Sequence, residues 1–208
     1  MSATHRPMTT LLLAAAALLM LAGDAAALSP HVRDGWVLGL SYGGARGSAT
    51  FGDGQEGETK DGVAPQIRFG HMVGSHLALG ASYAGWMYET GIYPTKIRFG
   101  MQSIMLAGTW YPGRADSGLG GLFVRAGAGL GWGVINTLEE IPGEEQGDGK
   151  TESDSGLGLE LNVGYEFRLV RNVSAGLGIG VNHLDIGGDL YDNGTFYPVT
   201  LNLGWYWD

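Results

Sequence analysis

Four charged residues lie in stretches that are otherwise apolar or glycine-rich. They are Arg68 in VAPQIRFGHMV, Arg125 in GLFVRAGAGLGWGV, and Glu160 and Glu166 in GLGLELNVGYEF. Two cations and two anions of this kind can pair into a buried network, because a lone buried charge is very costly. They can also line a narrow polar path and gate it. A second stretch, NHLDIGGDLYDNG, holds His183 and Asp185. A Ser-His nucleophile pair would need a serine beside this His, and the stretch holds none. His71 and His76 flank a short turn without carboxylates at metal-ligand spacing. Gly127-x-Gly129 opens no helix, so it is not a dinucleotide loop. The sequence therefore assigns no catalytic, cofactor-binding or metal site.

The elements that must position the four charges are strands. In residues 156–167, Leu157, Leu159, Leu161, Val163, Tyr165 and Phe167 alternate with Gly158, Glu160, Asn162, Gly164 and Glu166. That period of two gives one oily face and one polar face. Eight such runs follow one another, at 35–43, 63–73, 76–88, within 96–112, and at 121–134, 156–167, 172–183 and 196–207. The fourth breaks step, and a β-bulge near Gln102 and Ser103 would keep Phe99, Met101, Ile104 and Leu106 on one face. The alternation places Arg68, Arg125, Glu160 and Glu166 on the polar side, with Arg98 and Glu89 as further members. In a ring of eight, Arg68 would face Glu160 across the interior. Arg125 and Glu166 would lie near one end of neighbouring strands.

The links alternate in length. Residues 44–62, 89–95, 135–155 and 184–195 are long or polar, whereas 73–76, 112–120 and 168–172 are compact. This is the rhythm of an up-and-down meander, and an even strand number leaves both termini at the tight-turn end. The links also collect the acids, among them Asp53, Glu56, Glu58 and Asp61 in the first and seven between Glu139 and Asp154 in the third. The third link is either a solvated segment or a place where divalent cations bridge to an anionic surface, without an EF-hand register.

Composition narrows the class. Among 208 residues there are 38 glycines and no cysteine, and charged residues make up 16%. The lack of cysteine excludes disulfides, thiolate zinc sites, cysteine nucleophiles and a lipoprotein anchor. A net charge of −9 argues against nucleic acid as a partner. At the N-terminus, Arg6 precedes an apolar run from Leu11 to about Ala22, and Ala25-x-Ala27 then offers a cleavage site. That order predicts a secretory signal peptide over 1–27 and a mature domain over 28–208.

Two barrels suit a secreted meander, and they differ in which face is wet. A soluble barrel hides its oily face, whereas an outer-membrane barrel turns it to lipid. Here the polar faces are mostly glycine, serine, alanine and asparagine, as a small bore requires, and the charges crowd into the links while the strands keep only a few. Aromatic residues fall near both strand ends. Trp36, Phe167, Trp205 and Trp207 lie at the end of the termini, and Tyr42, Tyr83, Trp132 and Tyr197 at the other. Such girdles, about 25 Å apart, are what a bilayer selects. The fold class expected is all-β, an eight-stranded antiparallel up-and-down transmembrane β-barrel.

From Trp36 onward the chain resembles the small outer-membrane β-barrel family of Gram-negative bacteria, which includes OmpA-, OmpX- and OmpW-type barrels. The resemblance implies an outer-membrane location with both termini periplasmic. It also implies contact with outer-membrane lipids and lipopolysaccharide, and insertion by the barrel-assembly machinery. That machinery reads a terminal aromatic residue, and here Trp207 stands one residue before the closing Asp208. The function expected is non-enzymatic, with no cofactor: a structural barrel, or a narrow channel for small or apolar solutes. Two alternatives stay open. NHLDIGGDLYDNG is loosely similar to the lipid A deacylase barrels, which pair a His with a Ser and a Glu on the next strand. A surface adhesin or receptor acting through the acidic loops is the other.

Overall fold

Hydrocarbon offers the backbone no hydrogen-bond partners, so a sheet that crosses a bilayer has to close on itself. The computed structural model describes residues 33–92, 95–114, 117–139, 150–189 and 191–208. In these the chain forms a closed antiparallel sheet, and no helix is present among the described residues. The strands are β1 (Trp36–Phe51), β2 (Lys60–Val63), β3 (Gln66–Met72), β4 (Leu77–Ile92), β5 (Thr95–Trp110), β6 (Leu122–Glu139), β7 (Lys150–Val170), β8 (Val173–Asp185) and β9 (Tyr191–Trp207). Pairing of β1 with β9, from Trp36↔Trp207 to Phe51↔Tyr191, closes the ring.

The nine segments make eight staves. Both β2 and β3 pair with β1 on one side and β4 on the other. They are one stave interrupted at Ala64 and Pro65, since proline has no N–H to give the ladder. The interruption is bridged locally, with the Ala64 amide donating to the Gly43 carbonyl and the Gly85 amide to the Pro65 carbonyl, at 2.8 and 2.9 Å. The expected eight-stranded barrel is thus present with its second strand in two pieces.

Two expectations about the strands are corrected. First, β5 carries no bulge. Its register runs unbroken from Thr95 to Trp110 against both β4 and β6. Ile104 and Leu106 accordingly point outward with Arg98 and Gln102, while Met101, Ser103 and Met105 point into the bore. The sequence misled because Met101 and Met105 are inner residues that happen to be apolar. Second, the long links are partly strand. Residues 44–51, 135–139 and 150–155 continue β1, β6 and β7 past the alternating runs. Backbone pairing needs no oily face, so the ladder outlasts the lipid-facing pattern. Strands of 16 to 21 residues in β1, β4, β5, β6, β7 and β9 exceed the ~10 that a tilted spanning strand needs.

The burial pattern decides which face is wet. Leu106, Leu130 and Leu201 are 79%, 70% and 67% exposed, and Leu79, Leu157, Leu159, Leu161, Ile179 and Leu203 join them on the outside. Arg68, Arg125, Glu160, Asn162, Glu166, Ser174, Asn202 and Thr200 are buried within. An outer surface this apolar would aggregate in water, whereas lipid tails cover it at no cost. The predicted signal peptide over 1–27 and the start of the mature chain at Leu28 lie outside the described residues.

Candidate functional site

The bore takes its shape from glycines that make room for longer side chains. A Cβ on Gly39 would lie 2.1 Å from Arg68 Nε, and one on Gly180 would lie 1.9 Å from Asn162 Oδ1. At the other end the seats hold apolar groups. A Cβ on Gly131 would meet Leu184 at 2.8 Å, and one on Gly133 would meet the Tyr191 ring at 2.2 Å. The glycine stripes therefore do not widen a path. At these positions the space is occupied by side chains from other strands, adjacent ones for Gly39 and Gly180 and more distant ones for Gly131 and Gly133.

In the half nearer the termini an ionic network lies among a buried cluster of Val37, Met72, Ala78, Tyr111, Phe123 and Tyr206. Arg68 pairs with Glu166, and Glu166 also accepts hydrogen bonds from Tyr206 at 2.6 Å and Ser174 at 3.3 Å. Arg125 lies 3.6 Å from Glu160, which accepts from Ser82 at 2.7 Å and Asn162 at 3.3 Å. Arg125 also donates to Gln66 at 3.1 Å. The four residues singled out by sequence thus share one interior, but with partners exchanged. Arg68 meets Glu166 rather than Glu160, and Arg125 meets Glu160 on the adjoining strand. The reason is height in the barrel: Arg68 and Glu166 both lie near the terminal end, while Glu160 sits six residues deeper along β7.

Arg98 and Glu89 do not belong to this network. They pair with each other on the outer face near the loop end, with side chains 43% and 51% exposed. Strict alternation along β5 puts Arg98 on the side of Leu106, so the outward placement follows from the missing bulge.

Sequence reasoning passed over several members of the network. Arg168 lies 4.1 Å from the centre of the Tyr206 ring, and Arg33 lies 3.8 Å from that of Tyr111 while donating to the Gly120 carbonyl at 2.8 Å. The Tyr111 and Tyr206 hydroxyls are 3.2 Å apart. For Arg168 and Tyr206 the signal was present, since both share the parity of known inner residues on their strands. Arg33 precedes β1, where parity has no meaning.

In the half nearer the loops the contents are apolar. Ala45, Ala64, Ala84, Trp86, Met101, Leu184, Ile186, Tyr191 and Phe196 form one buried cluster. Trp86 stacks on Phe196 at 6.5 Å between ring centres, and its indole N–H donates to the Ala45 carbonyl at 3.3 Å. Asn182 sits at the boundary, opposite Glu160 on β7 and Phe196 on β9, fully buried with no protein hydrogen-bond partner for its amide.

The aromatic residues assigned to the girdles face outward. Trp36, Trp205 and Trp207 gather at the terminal end, where Phe69 stacks on Trp36 at 5.1 Å and lies 6.3 Å from Trp207. Phe167 lies against Tyr165 at 4.9 Å near the same end. Tyr42 and Tyr197 are exposed nearer the loops, with Tyr83 and Trp132 half-buried. His183 also faces outward, its Nδ1 2.8 Å from the Thr195 hydroxyl, and Asp185 is exposed beside it. His76 contacts the Tyr111 carbonyl and His71 lies edge-on to Trp36. Among the described residues no group of three His, Asp or Glu side chains could hold a metal. The acidic third link falls largely within 140–149, outside the described residues.

A closed ring of strands, oily outside and ionic within, defines a transmembrane β-barrel. The chain belongs to the outer membrane protein beta-barrel domain family, whose model matches residues 13–206. Membership places it in the outer membrane. No curated protein matches it significantly in sequence. Among solved structures it is similar to Neisserial surface protein A, with 14% identity over 83% of this chain and 97% of that one, at a TM-score of 0.54. It is also similar to Ail, the attachment invasion locus protein of Yersinia pestis, in complex with the heparin analogue sucrose octasulfate. There the identity is 13% over 82% of this chain and 98% of that one, at a TM-score of 0.52. At such identities the likeness is one of fold.

Proposed function

We propose that this protein is a non-enzymatic structural barrel of the outer membrane whose bore is closed at rest. The observation that carries this reading is the double filling of the lumen. An ion-pair layer at Arg68, Arg125, Glu160 and Glu166 occupies one half, and the cluster around Trp86, Met101, Leu184 and Phe196 occupies the other. An ion crossing the first layer would have to break paired buried charges, and crossing the second would mean shedding its water. Glu160 and Glu166 are each engaged by an arginine and by hydroxyl or amide donors, which argues against their presentation to a substrate.

Both termini lie on the periplasmic side in this reading. The outward aromatic residues at either end form two girdles at the membrane interfaces, lipopolysaccharide surrounds the loop-side rim, and Trp207 is read by the barrel-assembly machinery. The sulfated ligand of Ail is not transferred to this chain, because the links here are acidic and would repel a polysulfate.

The test is conductance of the refolded mature chain in a planar bilayer. Stable stepwise currents from the wild-type protein would overturn the closed bore. Release of fatty acid from purified lipid A would overturn the non-enzymatic reading. Loss of surface attachment on deleting 139–154, with the barrel still assembled, would favour an adhesin instead.

A further inference from the structure

The wall between β2 and β4 is unfinished at the loop end. β2 and β3 keep one register against β4, since Val63↔Met87 continues the series that runs from Met72↔Ala78 to Gln66↔Ala84. The Gly85 amide donates to the Pro65 carbonyl directly opposite it, and hydrogen-bonded pairs recur at every second residue. The rungs of this stave are therefore Pro65/Gly85, Val63/Met87 and, next toward the loops, Asp61/Glu89. Pairing ends at Val63↔Met87, so the first rung missing is the one with a carboxylate on each strand. The strands are still in contact just below it, because a Cβ on Gly62 would lie 2.4 Å from the Met87 carbonyl oxygen. Parity puts both acids on the outer face, and each is engaged within its own pair of strands. Arg46 on β1 donates to Asp61 at 3.1 Å, and Arg98 on β5 donates to Glu89 at 2.9 Å. A cleft of about 370 Å³ opens at this point, lined by Val63, Met87 and Tyr88 together with Asp61, Glu89 and Arg98.

We propose that this seam is a charge-controlled switch in the barrel rim, held open by repulsion between Asp61 and Glu89 and zipped when that repulsion is removed. Like charges directly opposite each other in an antiparallel pair oppose pairing. The two arginines weaken the repulsion without bridging it, since each stands on the far side of its acid, on β1 or β5. Protonation in acid neutralises the pair. The other titratable groups around it are Arg46, Lys60 with Glu58 before it, Tyr88, Lys96 and Arg98. Of these only Glu58 also titrates in acid, and it is engaged by Lys60. Zipping adds the two backbone hydrogen bonds of the missing rung and covers the cleft. Closure through β1 and β9 and the filling of the bore are untouched, so the inference stands whether or not the barrel conducts.

The test is amide hydrogen exchange of the refolded mature chain in detergent micelles, read by NMR as protection relative to each amide's intrinsic rate. At neutral pH the amides of Asp61 and Glu89 are expected to be unprotected, while those of Val63 and Met87 are protected. In the Asp61→Asn/Glu89→Gln double variant the amides at 61 and 89 should gain about tenfold or more in protection. Asp185→Asn, which removes an exposed acid at the loop end of β8, should leave both unchanged. Wild-type protein taken below the carboxylate range should show the same gain at the same two amides. Protection of both amides in the wild-type protein at neutral pH, or equal exchange before and after neutralisation by either route, would overturn the proposal. Should the double variant fail to fold, the acid titration of the wild-type protein decides. A gain at 61 and 89 supports the switch, and its absence refutes it.

Discussion

Both halves of the bore hold buried apolar side chains, but only the half nearer the termini carries buried ion pairs. Toward the termini, Glu166 gathers Arg68, Tyr206 and Ser174, and Glu160 gathers Arg125, Ser82 and Asn162. Toward the loops, Trp86, Met101, Leu184, Tyr191 and Phe196 pack as a soluble protein's core would. Glycines serve both by clearing room for side chains from other strands. The difference lies in how each half responds to damage. A polar layer fails when one partner is deleted, because the other is left charged and buried. An apolar layer fails in proportion to the volume removed.

The largest effect is expected from Glu166→Ala, which strands Arg68 beside Phe123 and removes the acceptor of Tyr206 and Ser174. A loss of about 3–5 kcal/mol should appear in urea unfolding of the refolded barrel. The Arg68→Ala/Glu166→Ala double variant should recover part of it, and strict additivity would show that the two do not act as a pair. In the apolar half, Leu184→Ala should cost about 2–4 kcal/mol, independent of salt. A salt-dependent loss there would erase the distinction between the halves. At the boundary, Asn182→Leu should leave stability unchanged or raise it by ~1 kcal/mol, since it removes a buried amide without partners. A clear loss would mean that the amide is engaged.

Outside the bore the effects shrink. Arg98→Ala should leave the urea midpoint almost unmoved, because the pair with Glu89 is exposed and screened. The smallest effect belongs to Glu58, whose hydrogen bond from Lys60 holds its carboxyl below the ordinary glutamate range. Its contribution is present above that range and is lost as pH falls through the depressed value. Lys60→Met should abolish this acid-side trend in the unfolding midpoint and leave the neutral-pH midpoint almost unmoved.

Much of this architecture could be read from alternation. The period of two in β7 and β8 named the outward leucines and the inward Glu160 and Glu166, and pairing has only to keep that phase. The phase was misread in β5 because Met101 and Met105 are apolar residues facing an apolar layer inside. No pattern in one strand announces what the far wall presents. For the same reason the four charges were identified but their partners were not.

The sequence alone determined the closed antiparallel class and, β5 excepted, the side of the alternating strands that meets lipid, because side-chain direction along a strand is fixed by parity. The tertiary structure decided which charges touch, that Arg33 and Arg168 join them, and that the loop-side half is sealed by apolar packing. Those outcomes depend on stagger and height around the ring, which side chains on opposite strands acquire only once the barrel has closed.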